Sequence, residues 1–151
     1  MSVQLKRILL VEDNPNDVEL TLNALSEYNL ANEVEVARDG EEALDFLYSR
    51  GKFSGRGGDN PVVVLLDLKL PKVNGLEVLR RIRADDKLKL IPVVILTSSR
   101  EEKDRIEGYK LGVNAYVVKP IDFHEFVKAV TELGIFWAII NEPPPGSVRM
   151  L

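Results

Sequence analysis

The chain has 151 residues, 45% of them hydrophobic and 29% charged, which suits one domain with a core of its own. A formal net charge of −4 argues against nucleic acid as the main partner, and the lack of cysteine excludes disulfides and thiolate metal sites. Residues 1–7 do not read as a secretory leader, and the apolar runs 91–96 and 134–140 are far shorter than the roughly 20 residues that span a bilayer. The expectation is a cytoplasmic protein that does not engage the membrane.

In chain order, the first element is a β-branched apolar run at 7–11, read as a strand. A helix follows over 17–28, with Val18, Leu22 and Leu25 on one face. A strand at 33–37 leads to a helix at 41–49 carrying Ala43, Leu44 and Leu47. Residues 50–61 are Gly-rich and polar, so a long flexible loop is expected there. The strand 62–66 precedes a helix at 74–84 with Leu76, Leu79 and Ile82 on one side, and the strand 93–96 precedes a helix at 100–111. Gly112 should end that helix in the left-handed conformation. A fifth strand, 115–118, leads to a helix capped by Asp122 and running towards Ile140. Pro143, Pro144 and Pro145 then exclude helix and predict an extended tail.

Strand and helix thus alternate five times. The strands show no in/out alternation, as expected of a parallel sheet covered on both faces. Right-handed crossovers wind such units into a doubly wound (βα)5 domain, a flavodoxin-like three-layer α/β sandwich about a five-stranded parallel sheet. The domain is expected over 1–141 and the Pro-rich tail over 142–151.

The charged residues fall at strand ends. Glu12 and Asp13 end the first strand, Asp67 the third, Thr97 the fourth and Lys119 the fifth. In a parallel sheet these ends lie at one edge, so three carboxylates, a hydroxyl and an ammonium should converge. Carboxylates so close repel unless a cation intervenes, and a hard ion such as Mg²⁺ (or Mn²⁺) suits oxygen ligands. An aspartate in such a setting can be the nucleophile of phosphoryl transfer.

The segments ILLVEDNPND, VVVLLDLKLPKVNG, VVILTSS and AYVVKP stand in this order at the strand ends. The chain therefore resembles the receiver domain of two-component response regulators over residues 6–133. The resemblance implies that Asp67 is the phosphoacceptor. It implies that Asp13, Asp67 and the backbone carbonyl of Lys69 hold Mg²⁺, with Glu12 helping through water. Thr97 would bind the phosphoryl group, Lys119 would pair with its oxygens, and Tyr116 would move inward with Thr97 on activation. The Lys119–Pro120 bond is expected to be cis. Lys69 departs from the Asn often found two residues after the acceptor, which bears on phosphoryl lifetime. The lengthened loop, the aromatic Phe136–Trp137 pair and the NEPPP ending also resemble the small single-domain response regulators that serve phytochromes. A sensor histidine kinase is the implied partner, in that case a phytochrome. No cofactor besides the metal is implied.

His124, the only histidine, reads as surface decoration, so the phosphodonor must come from another protein. The glycines of 51–58 form no phosphate loop, since the GxxxxGK[ST] spacing is absent. Residues 135–140 are six consecutive apolar residues, which would cover every face of a helix. With Phe136 and Trp137 at its centre, this segment predicts an association surface, most simply that of a homodimer. A phosphatase with an aspartate nucleophile would need a second Asp where Lys69 stands. A phosphorylation-independent adaptor would be expected to lack part of the site. The reading is a stand-alone response regulator, not an enzyme, with output by protein contact.

Overall fold

In a computed structural model, residues 4–5, 7–30, 33–56, 59–147 and 149–150 are described. Lys6, Gly57, Gly58, Val148 and Leu151, on which parts of the expectations above fall, lie outside them.

Strands β1 (Gln4–Leu5), β2 (Ile8–Val11), β3 (Val34–Ala37), β4 (Val63–Leu66), β5 (Val93–Thr97), β6 (Ala115–Val118) and β7 (Arg149–Met150) follow one another in the chain. Between them run the helices α1 (Pro15–Ser26), α2 (Gly40–Leu47), α3 (Gly75–Ala84), α4 (Glu102–Lys110) and α5 (Phe123–Ile135). The main sheet is parallel, in the order β3-β2-β4-β5-β6, so all five strands bring their carboxyl ends to the same edge.

Strand periodicity divides the core in two. Leu9, Val11, Val64, Leu66, Val93 and Ile95 face one side, with Leu44 and Leu47 of α2 and Val78, Leu79 and Ile82 of α3. Ile8, Leu10, Val63, Leu65, Val94 and Leu96 face the other, with Val18 and Leu25 of α1 and Phe126 and Val130 of α5. The central strands are buried on both faces, which is why their sequences are apolar without alternation.

Short polar side chains start four of the helices: Asn14, Asp39, Asn74 and Asp122 each accept a backbone amide of the first turn. Gly112 follows α4 with a φ of 87°, the left-handed cap that the sequence predicts. The last helix does not continue evenly to Ile140. After Ile135 it widens into a π-helical turn, Phe136–Ile140, closed by the Asn141 amide on the Phe136 carbonyl at 2.7 Å.

Two segments read as loop or tail are held against the domain. The Arg56 guanidinium lies over the Phe46 ring, 4.0 Å from its centroid, and donates to the carbonyls of Phe46 and Asp59 at 2.7 Å each. The predicted flexible loop is thus pinned to the end of α2. The tail returns past Asn60, whose amide donates to the Gly146 carbonyl at 3.0 Å, and β7 pairs antiparallel with β1. No helix of the described residues is long and apolar enough to cross a membrane.

Candidate functional site

The sheet ladder sets the site directly. One residue beyond each strand, backbone bonds continue: the Glu12 amide donates to Ala37 O at 2.9 Å, Asp67 to Val11 O at 3.1 Å, and Lys119 to Thr97 O at 2.7 Å. The five residues singled out at strand ends therefore stand on one edge at fixed heights. Glu12 (3% exposed) and Asp67 (6%) are buried, and Asp13 faces solvent. One carboxylate oxygen from each of the three lies within 4.8 Å of the other two.

Lys119 sits in the middle. Its Nζ donates to Asp67 Oδ2 at 3.2 Å, to Asp17 Oδ2 at 2.9 Å and to Glu12 Oε1. Burial alone would lower its pKa, but the hydrogen bonds to Glu12 and Asp17 and the charge of Asp67 hold it above the ordinary lysine range. Glu12 moves the other way for a carboxyl. Burial pushes it up to about 7, against the lowering bond from Lys119 and with the charge of Asp67 adding to the rise. The second oxygen of Asp67 accepts from the amides of Leu68 (2.7 Å) and Lys69 (3.5 Å).

The close packing needs a glycine. A Cβ on Gly75 would stand 2.2 Å from the Asp67 carbonyl oxygen, so α3 can start against the site only without a side chain there.

Thr97 is fully buried, and its Oγ1 accepts from the Ser99 amide at 3.3 Å. Tyr116 is half-buried and donates to the Ser99 carbonyl at 3.1 Å. Burial, the first influence on it, raises the pKa of this phenol. Lys69 borders a cleft of about 470 Å³ lined also by Asp13, Asn74 and Asp104. Of the two aromatics expected at an interface, Phe136 is 45% exposed, whereas Trp137 packs against the core beneath α1 and α5. His124 is exposed on the first turn of α5.

One expectation is corrected. No cis peptide bond occurs among the described residues, so Lys119–Pro120 is trans. The trans form is favoured for X–Pro by about 0.5–1 kcal/mol unless packing overrides it.

Three residues of the site were missed in the sequence. Asp17 joins it from the first turn of α1, one helical turn beyond Asp13. Ser99 and Asp104 are bonded to each other at 2.6 Å beside Lys69. A cue existed for Asp17 alone, since an acidic residue four positions past a strand-end Asp returns to the same edge.

Three carboxylates, those of Glu12, Asp17 and Asp67, thus gather around one ammonium, and that of Asp13 lies beside Glu12 and Asp67. An oxygen-only donor set with surplus negative charge fits a hard divalent cation.

Fold and site together carry the identification. The response regulator receiver domain pattern matches residues 8–131, and the chain belongs to that family. It is 40% identical over 132 residues to the response regulator Rcp1 of Synechocystis, covering 87% of this chain and 88% of that one. The crystal structure of the Mn²⁺-bound form of Rcp1 superposes with a TM-score of 0.86 at 39% identity, covering 92% of this chain and 99% of that chain. The bacteriophytochrome response regulator RtBRR is 62% identical, with a TM-score of 0.73 over 95% of this chain and 86% of that chain. The protein is a two-component response regulator of the receiver type, and its acidic cluster has the composition of a divalent metal site.

Proposed function

We propose that Asp67 takes a phosphoryl group from a phosphohistidine of a sensor histidine kinase. An Asp67 oxygen forms the bond to phosphorus as the P–N bond breaks, and the departing imidazole nitrogen keeps the electron pair and takes a proton from solvent. The observation that carries the reading is the setting of Asp67, a buried carboxylate at a strand end with Lys119 on one oxygen and two backbone amides on the other. Lys119 pairs with the phosphoryl oxygens, and the Thr97 hydroxyl binds them. Tyr116 then follows Thr97 inward.

Asp13, Asp67 and the Lys69 carbonyl would hold Mg²⁺ or Mn²⁺, with Glu12 acting through water. Such a cation neutralises charge on the phosphoryl oxygens. The protein acts as a phosphoacceptor and not as an enzyme with its own substrate, and its place is the cytoplasm.

Likeness to Rcp1, to the phosphorylated cyanobacterial phytochrome response regulator RcpA (39% identical) and to RtBRR supports a phytochrome as the kinase. The exposed Phe136, Ile139 and Ile140 support a homodimer contact beside Trp137.

Intact-mass spectrometry after incubation with acetyl phosphate and Mg²⁺ tests the chemistry. One phosphate-sized gain is expected in the wild type and none in Asp67→Asn or without Mg²⁺. A folded wild type that gains no mass sinks the reading.

A further inference from the structure

Helix α4 is held unlike the other helices. Its buried residues are Asp104 and Gly108, while Ile106 and Tyr109 stay exposed. Its N-cap, Glu101, makes no side-chain bond to the first turn, where the other four helices have one. What fixes that turn is therefore polar. Asp104 is 9% exposed, and its Oδ2 accepts from Ser99 Oγ at 2.6 Å and lies 3.9 Å from Lys69 Nζ. Lys69 is also the residue whose amide faces Asp67 Oδ1. A short chain of contacts thus runs from the acceptor through Lys69 to the start of α4.

The two links differ in strength. The Ser99 bond is short and buried, whereas the Lys69 side chain is 64% exposed and its pair with Asp104 is loose. Exposed pairs of that kind exchange readily for a stronger partner. A phosphoryl group on Asp67 would bring nearly two negative charges within two residues of Lys69, against the single charge of Asp104.

Building on the phosphoacceptor reading, we propose that Asp104 is a positioning residue that reports the state of Asp67 to α4. In the unphosphorylated protein Lys69 pairs with Asp104. After phosphorylation the ammonium moves to the phosphoryl oxygens, and Asp104 keeps its Ser99 bond alone. The first turn of α4 loosens as a result, and the exposed Ile106–Tyr109 surface changes with it.

Hydrogen–deuterium exchange over 102–110, read with and without acetyl phosphate and Mg²⁺, tests this in three proteins, with uptake of the phosphoryl followed by intact mass in the same samples. Asp104→Asn keeps an acceptor for Ser99 but removes the charge, and Lys69→Met keeps the apolar stem but removes the ammonium. In the wild type α4 should exchange several-fold faster once phosphorylated. Read on the fraction of each sample that carries the phosphoryl group, both variants should lose that response. Retention of the response in either variant, or no response in a phosphorylated wild type, overturns the inference and leaves the phosphoacceptor reading intact. A variant that takes up no phosphoryl puts its residue in the chemistry and equally overturns the positioning role. No mass gain in the wild type overturns both.

Discussion

Glu12 and Lys119 are charged groups buried at the same strand edge, and each sets the other's state. Glu12 has its carboxyl pushed up to about 7, first by burial and then by Asp67, against the ordinary 4.5 of an unfolded chain. Between those two values the folded protein holds a proton that the unfolded chain has lost, so stability falls as pH rises from about 4.5 through 7. Urea titrations of metal-free protein in chelator should show that decline, and Glu12→Gln should flatten it. An unchanged slope in the variant would contradict the assignment. Asp17 binds Lys119 from the helix side and also lies in the first turn of α1, where a negative charge is favourable. Asp17→Asn should cost about 1 kcal/mol in the same titration, the sum expected of a partly exposed ion pair and a helix-end charge.

At the scale of elements, close approach and anchoring decide what can move. A methyl group at Gly75 would overlap the backbone oxygen of Asp67, and backbone cannot rotate away as a side chain can. Gly75→Ala should therefore destabilise by roughly 1–3 kcal/mol, as overpacking does. Because the clash falls on the acceptor residue, it should also slow phosphoryl uptake from acetyl phosphate. A variant as stable and as fast as wild type would mean that α3 can shift away freely. Arg56 is the corresponding anchor for the 50–61 loop, through its stack on Phe46 and its bonds to two carbonyls. Limited proteolysis should cut Arg56→Ala in this loop under conditions that leave the wild type whole. Equal cleavage of the two proteins would assign the anchoring to other contacts.

At the scale of the whole molecule, the segment after α5 presents exposed apolar side chains. The chain beyond α5 runs through a π-helical turn that turns Trp137 inward and leaves Phe136, Ile139 and Ile140 at the surface. Light scattering over a concentration series should find a dimer in the wild type and a monomer in Phe136→Glu combined with Ile140→Glu. A dimer that survives both changes would move the contact elsewhere. Phosphorylation and dimerisation can be measured independently, because the patch and Asp67 share no residue.

The alternation of strand and helix was legible along the chain, and with it the convergence of Glu12, Asp13, Asp67, Thr97 and Lys119. Apolar runs without alternation mean buried parallel strands, and parallel strands must end at one edge. The cap at Asp122 was equally legible, since it needs only a short polar side chain ahead of a helix, and Asn14, Asp39 and Asn74 follow the same rule in the structure. The partners of Lys119, the Ser99–Asp104 bond and the Arg56 stack are different in kind. Lys119 and Asp17 are 102 residues apart, and only the packing of α1 against the sheet edge brings Asp17 to the ammonium. The return of the tail to pair with β1 likewise depends on neighbours that no local pattern specifies, whereas the trans Lys119–Pro120 bond follows the local X–Pro preference. Local periodicity sets which face and which end of an element a side chain occupies. Which of several nearby groups it then pairs with is decided by packing, because the energies that separate those choices arise only once distant elements meet.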